Sequence, residues 1–525
     1  MNLRIILTCI FLVCGHLFAQ PAAQWQKNFG GNFYDYAYDI SQSSDGNFYI
    51  VGRSNSAVSG NKTDSCRGHD DYWLIKINAL GDLLWERTLG GNNDDVGTSV
   101  KATPDLGCIV AGGSGSTLSG DKTESSNGDD DAWIIKLDSA GNIEWQRSIG
   151  GWDSDFAVSI ALANDGGYVV ACISTSNISA DKTENRRGGQ DFWVFKINST
   201  GGLLWQKTIG GSNEDYPSYI ERTQDGGFLI GGSSNSDISG EKTENAIRLF
   251  DYWILKLDSA GTILWQKTLG GSDEDILSIV KETSDGGYIV GGYSDSNASG
   301  DKTENSRGTE DYWVIKLDSQ RNIQWQKTLG GNLIDNLISI AEEPAGEFIL
   351  GGYSASGVSG DRTAPDKGGF DIWLIKLNST GNIIWQKAFG GDQGDFLWSM
   401  KLCFDGSFIC AGSSASYISG DKTEDVIGLS DYWIVKFASG NDIENTLLNR
   451  IHFYPNPCSG ILHVRGNPNS DIQVRIYDAI GNLVFTDHLL FEKDLNLSFL
   501  ANGIYELQMS IDDKRQFRKI LLIDK

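Results

Sequence analysis

Seven aspartates, Asp35, Asp95, Asp155, Asp215, Asp275, Asp335 and Asp395, recur at intervals of 60 residues, and an acidic run, Gly120-Asp121-Lys122-Thr123-Glu124 ending at Asp131, recurs with them. Carboxylates at that density suit three kinds of chemistry. Calcium takes several oxygen ligands from flexible loops. A pair of carboxylates divides the acid and base work at a glycosidic bond. Aspartate also accepts hydrogen bonds from loop backbone and so orders long loops. The Lys or Arg inside nearly every Asp-Lys-Thr-Glu run argues against dense calcium sites. No cofactor is therefore expected, with calcium kept as the alternative.

Other chemistries are poorly supplied. His69, beside Asp70 and Asp71, is the single histidine between residues 20 and 437, too few for a Ser-His-Asp or Cys-His site or a multi-histidine metal centre there. It reads as a loop residue. Cys66, Cys108, Cys172, Cys403, Cys410 and Cys458 form no CxxC unit and no paired spacing, so free thiols are expected rather than disulfides or zinc. The net charge of -26 excludes a nucleic-acid partner, because phosphate binding needs a basic patch. No catalytic residue stands out. The departures from the repeat, such as Trp152, Pro217, Leu249-Phe250 and Trp398, are apolar or conformational.

The elements that carry these residues follow from the same period. Trp25, Trp85, Trp145, Trp205, Trp265, Trp325 and Trp385 form one ladder, and Trp73, Trp133, Trp193, Trp253, Trp313, Trp373 and Trp433 form a second in the same register, giving seven units. In one unit, Tyr36 to Ser43 and Asn47 to Arg53 flank the turn Ser44-Asp45-Gly46. After a long polar loop, Asp71 to Asn78 and Leu83 to Leu89 flank a turn containing Gly81. Two hairpins per unit predict a four-stranded antiparallel sheet, and the third strand, apolar on both faces, predicts sheets stacked around an axis. The chain opens with a lone fourth strand, 24 to 29, and the last unit stops after its third, Asp431 to Phe437, so the first strand is expected to close the ring. Residues 20–437 are thus expected to form a seven-bladed β-propeller, with the loop before the first strand and the long acidic loop on one face. The hairpin register also sets Lys76 opposite Trp85 in every blade, where a cation–π contact of about 0.5 to 1 kcal/mol is expected.

The stretch Leu137-Asp138-Ser139-Ala140-Gly141-Asn142-Ile143-Glu144-Trp145 resembles the repeat of quinoprotein-like propellers in bacterial surface proteins. The resemblance concerns fold, because Asp bonds the turn backbone and Gly takes positive φ. It implies no quinone cofactor. Sialidase-type Asp boxes do not match, since the Asp-to-Gly and Gly-to-Trp spacings are each one residue longer.

The ends address the destination. Arg4, the apolar run Ile5 to Val13 and Leu17-Phe18-Ala19 read as a signal peptide over residues 1–19, and no later stretch approaches the ~18 apolar residues of a membrane span. A lipoprotein reading would use Cys14, but Val13 is large for the position before a lipidated cysteine. After a polar linker at 438–450, residues 451–525 show short alternating strands that predict a small Ig-like β-sandwich. Tyr454, Pro455, Asn456 and Pro457, then Gly481, then Gly503 and Tyr505 resemble the type A C-terminal sorting domain of the bacterial type IX secretion system. That resemblance implies passage through the periplasm, handling by the secretion machinery, and display on the outer cell surface or release.

Together these readings predict an all-β, secreted or cell-surface protein that is probed best as a non-catalytic adhesion module for glycan or protein. A carboxylate-dependent glycoside hydrolase or lyase and a structural surface repeat are the alternatives.

Overall fold

The computed structural model describes residues 20–438, 452–454, 460–465, 472–478, 482–489, 493–511 and 514–522. The first blade runs Asp35–Gln42, Phe48–Ser54, Asp71–Ile77 and Leu83–Leu89, four antiparallel strands in sequence order from the axis outward. Six sheets repeat this order. The seventh is composite: Ala23–Phe29 pairs with Asp431–Phe437, with Phe29 opposite Tyr432, so the first strand of the chain completes the last blade. The protein is a seven-bladed propeller whose closure is made of backbone hydrogen bonds, leaving no free edge between first and last blades.

The third strand of every blade is buried at all seven positions, since both sheet faces are covered by neighbouring blades. The tryptophans of these strands are the largest fully buried side chains. Tyr72 packs on Trp133 of the next blade with ring centres 4.9 Å apart, and its hydroxyl donates to the Trp133 carbonyl at 3.1 Å. Across the closing seam Tyr432 makes the same pair of contacts with Trp73, at 4.6 Å and 2.8 Å. The other tryptophan ladder lies nearer the rim and links blades by its indole N–H: Trp85 and Trp145 donate to the carbonyls of Ser139 and Ser199 in the next blade.

One expectation fails in its side chains. Lys76 does lie opposite Trp85 in the strand register. Its equivalents, however, turn to the carboxylate in the first hairpin turn of the same blade: Lys136 to Asp105 at 2.8 Å, Lys196 to Asp165 at 2.6 Å, Lys256 to Asp225 at 2.8 Å, Lys316 to Asp285 at 2.9 Å and Lys436 to Asp405 at 2.8 Å. A charge-assisted hydrogen bond outweighs the attraction of a ring face when both are in reach. Blade six, whose turn is Pro344-Ala345-Gly346, supplies Glu343 and Glu347 to Lys376 instead. Cation–π contacts form with the other ladder, where the lysine of the long loop covers the third-strand tryptophan, as Lys62 over Trp73 at 5.2 Å and Lys242 over Trp253 at 4.9 Å.

Cys108, Cys172, Cys403 and Cys410 are buried free thiols and Cys66 is a half-buried one; Cys458 lies outside the described residues. The propeller falls within one compact unit, Ala22–Ala438. The second contains a three-stranded sheet, His452–Tyr454, Ile461–Arg465 and Lys493–Asn496, and a four-stranded sheet ordered Leu483–Leu489, Ile472–Tyr477, Gly503–Ile511, Lys514–Leu522. Leu462, Val474, Leu495, Leu507 and Ile520 are among the side chains of its core. Among the described residues, no helix is long and apolar enough to cross a membrane.

Candidate functional site

The recurrent carboxylates are engaged inside the fold. Asp35 accepts the Gly31 N–H at 2.8 Å and the Ser56 hydroxyl at 2.9 Å, and Asp95, Asp155, Asp215, Asp275, Asp335 and Asp395 repeat this fully buried arrangement. A second ring, Asp71 and its equivalents, accepts backbone N–H groups from the end of the long loop, such as Arg67 at 2.7 Å and Asn127 at 2.6 Å. This ring explains the glycine before each first strand: a Cβ on Gly90 would come within 2.3 Å of the Asp71 carboxyl carbon.

Between the two rings lies the lysine of the acidic run. Lys122 is buried, donates to Ser114 at 2.6 Å and Ser126 at 2.7 Å, and feels both Asp95 and Asp131. Its ammonium thus supplies the positive charge among these carboxylates. Burial pushes the second ring up, Asp71, Asp191, Asp371 and Asp431 to about 6 and Asp131 and Asp251 to about 7. Burial likewise holds Lys182, Lys242, Lys302 and Lys422 down to about 8. Protonated or already committed carboxylates make poor ligands for a divalent ion. His69 is 89% exposed in its loop, 3.6 Å from Asp94.

Several residues that break the sevenfold pattern lie along the axis, while Trp152 and Leu249 stand exposed on loops. A bulge in each innermost strand, between Ala37 and Asp39 in the first, turns successive side chains into the central channel. The lumen encloses a cavity of about 290 Å³ lined by Tyr38, Asp39, Tyr219, Trp398, Lys401 and a set of serines. Asp39 is the hub. It accepts from Lys101 Nζ at 2.9 Å, Val100 N at 3.1 Å, Ser99 Oγ at 3.1 Å and Ser399 Oγ at 2.9 Å, with Lys401 Nζ at 3.4 Å. Although burial alone would raise its carboxyl, Lys101, Lys401 and the Val100 N–H hold it well below the usual carboxylate range. Farther along the strands stand Glu221, pushed up by burial, and Lys281, held down to about 8 by burial.

At the other mouth, on the face of the acidic loops, aromatic rings from blades six, seven and one form a cluster. Tyr353 lies 5.5 Å from Phe370 and 5.1 Å from Phe396, Phe370 lies 5.0 Å from Phe396, and Trp398 stands 5.9 Å from Tyr353 and 5.7 Å from Tyr38. Tyr36 stacks on Tyr34 at 5.9 Å under the Arg53 guanidinium. On the fifth blade of this face, burial and the neighbouring Glu310 and Glu274 push Asp295 up to about 6. Exposed aliphatic side chains, Val58, Leu118, Ile178, Ile238, Val358 and Ile418, recur on the long loops.

Sequence reading singled out Trp398 as an apolar departure but missed Asp39, Lys101, Glu221, Lys281 and Lys401. Superposing the seven units on one another would have pointed to them, because the columns Asp39, Ser99, Ser159, Tyr219, Ile279, Ser339, Ser399 and Ser41, Lys101, Ala161, Glu221, Lys281, Ala341, Lys401 vary in a strand whose first column is aspartate in every unit. Of the sorting-motif residues, Tyr454 ends a strand opposite His463, Gly503 begins one opposite Leu522, and Tyr505 is buried in the sandwich core with its hydroxyl donating to the Ala501 carbonyl at 2.9 Å. Pro455, Asn456, Pro457 and Gly481 lie outside the described residues, as do residues 1–19 and the linker beyond Ala438.

Comparison with known proteins bears on both parts. Residues 452–523 match the secretion system C-terminal sorting domain, which marks the chain for type IX export to the cell surface or the extracellular space. The chain is similar to the regulatory protein FlaEY of Caulobacter vibrioides, 24% identical over 383 residues covering 67% of this chain and 40% of that protein. It is also similar to an endo-acting ulvan lyase of Formosa agariphila, 23% identical over 326 residues covering 60% of this chain and 58% of the relative. The chain therefore spans less than two thirds of either relative. Among solved structures it is similar to hydrazine synthase of Kuenenia stuttgartiensis, with a TM-score of 0.43, 14% identity and coverage of 73% of this chain and 92% of that one. It is similar also to the Pan2 WD40 domain of Neurospora crassa, with a TM-score of 0.39, 10% identity and coverage of 76% and 88%.

Proposed function

We propose that the exported chain is a non-catalytic binding module that holds a glycan at the aromatic mouth of the propeller channel. The observation that carries this reading is the cluster of Tyr353, Phe370, Phe396, Trp398 and Tyr38 across blades six, seven and one at that mouth, larger than the single Tyr216–Phe250 pair at the equivalent positions of blade four. The repeated residues are consumed in holding the blades, so a ligand is left to the positions that vary. Sugar rings carry flat C–H faces, and rigid aromatic side chains give large contact area at low entropic cost. The symmetric carboxylates hold the loops.

Delivery follows from the ends of the chain. Residues 1–19 act as a signal peptide that sends the chain to the periplasm, and residues 451–525 act as a type A sorting domain read by the outer-membrane machinery. The test of binding is a glycan array probed with the full secreted protein and with Trp398→Ala. Retention of a defined glycan class by the first and loss by the second supports the reading; equal binding by both, or binding by neither, sinks it.

A second reading, an extracellular lyase or hydrolase, draws on the ulvan lyase relative and on Asp295, whose carboxyl near Glu274 and Glu310 is held at about 6, a value suited to proton transfer near neutral pH. New reducing ends released from an acidic polysaccharide, and lost in Asp295→Asn, would favour it over binding alone.

A further inference from the structure

The bulge in each innermost strand skips one residue in the pairing with the second strand, from Tyr38 in blade one to Trp398 in blade seven. All seven skipped residues line the axial cavity, so they form a ring around the channel. The two sides of that ring differ. Trp398 and Tyr38 are neighbours across the closing seam, edge to face with centres 5.7 Å apart. Three blades away in either direction, in blade four, stands Ser218, with Ser278 next to it in blade five. The channel has an aromatic wall and, facing it, a hydroxyl wall.

The aromatic wall is fixed. The Trp398 indole N–H donates to Ser413 Oγ at 3.1 Å, and the ring lies nearly parallel to Phe396 at 6.1 Å, which joins the lumen to the cluster at the mouth. The hydroxyl wall is uncommitted. Among the described residues the Ser218 and Ser278 hydroxyls have no hydrogen-bond partner, whereas Thr98 donates to the Ala111 and Ala157 carbonyls, Ser99 and Ser399 to Asp39, and Ser339 to the Met400 carbonyl. Asp39 and Lys401, the charged groups of the lining, are paired with each other at 3.4 Å. A purely apolar ligand would leave both serines unpaired. A sugar ring suits both walls, with a C–H face for the aromatic side chains and a hydroxyl edge for the serines. At about 290 Å³ the cavity lies at the lower end of the roughly 300–1,000 Å³ that ligand pockets span, room for one such ring and not for a length of polymer.

We propose that the lumen takes the terminal sugar of a glycan, with Trp398 and Tyr38 as the stacking wall and Ser218 and Ser278 as the hydrogen-bonding wall, so that the protein recognises chain ends. The inference rests on the reading that the mouth holds a glycan: the mouth supports the following units and the lumen selects the end. Two ordinary hydrogen bonds are together worth roughly tenfold or more in affinity, which sets the size of the effect of removing both serines.

The experiment compares the full secreted protein with Ser218→Val/Ser278→Val, which puts at both positions the valine that the ring already carries as Val158. Each is applied to a glycan array and titrated calorimetrically with the methyl glycosides of glucose, galactose, mannose, rhamnose and glucuronic acid. Expected are array binding sorted by terminal sugar, saturable one-to-one binding of at least one methyl glycoside by the parent, and a loss of tenfold or more in the double variant, whose circular dichroism and melting match the parent. The methyl glycoside titration needs no variant, so the proposal can fail on the parent alone. Array binding accompanied by no methyl glycoside binding, or array binding unchanged in the double variant, overturns the lumen inference and leaves the mouth reading in place. No array binding by the parent overturns both.

Discussion

Replacing Asp39 by alanine removes the one carboxylate that ties blade one to both its neighbours along the axis. Ser99, Val100 and Lys101 belong to blade two and Ser399 and Lys401 to blade seven, the blade completed by the N-terminal strand. Asp39 is 7% exposed. Its loss leaves Lys101 without its partner, and breaking a buried ion pair from one side costs about 3–5 kcal/mol. The Val100 N–H is orphaned as well, worth about 1–3 kcal/mol if no water reaches it. Because the lumen is wide enough for water, the lower figures apply, and a loss of about 4 kcal/mol is expected. Asp39→Asn, which still accepts hydrogen bonds but carries no charge, should lose about half of that. Equilibrium urea unfolding followed by tryptophan fluorescence measures both, and a cycle with Lys101→Met isolates the pair. A loss for Asp39→Ala below about 1 kcal/mol, or a cycle with no coupling between Asp39 and Lys101, would refute the argument that this carboxylate holds the seam.

Stability should rise as pH falls from 8 to about 5. The second aspartate ring holds its protons more tightly folded than unfolded, with Asp131 and Asp251 at about 7 and Asp71, Asp191, Asp371 and Asp431 at about 6, so each ionised carboxylate costs stability that protonation returns. The opposite case, Asp105, Asp225 and Asp285 at about 2 beside their lysines, loses its contribution only below the ordinary carboxylate range. Melting temperatures across pH 3 to 9 should therefore peak between about 4 and 5; a flat or rising profile from 5 to 8 contradicts the assignment. Gly90→Ala should destabilise by about 2 kcal/mol or more in urea, since the added Cβ meets the Asp71 carboxyl at 2.3 Å and neither ring can move alone. Deleting residues 451–525 should trap the propeller in the periplasm, as read by cell fractionation; surface display without them contradicts the sorting role.

The blades were legible in the sequence because each is built from local hairpins whose turns and strands are encoded within one unit, and seven copies of the unit make the pattern unmistakable. Gly46 and Gly406 take the positive φ that their Asp-Gly turns require, and Gly141 does the same at the end of Asp138-Ser139-Ala140-Gly141. Where a turn lacks glycine, as at Leu106 and Arg321, a side chain adopts φ near 66° and 70° because the flanking strands fix the turn. The lysines opposite the rim tryptophans show the limit of that local reading. Register gave their neighbours correctly, but Lys256 had a choice between the face of Trp265 and the carboxylate of Asp225, and the choice depended on how far the first turn reaches toward the third strand.

The sequence by itself determined the number of blades, the strand order, the closing strand and the sorting domain, all of which depend on short-range pattern or on simple counting. The contents of the lumen were decided by tertiary structure alone. Asp39 and Lys101 stand 62 residues apart, and Asp39 and Ser399 stand 360 apart; they meet only because seven innermost strands converge on one axis. Away from that axis each would be a solvated polar side chain of little consequence. Packed around it, with carboxylate, ammonium and hydroxyl groups in reach of one another, they become the part of this protein whose chemistry its repeats do not explain.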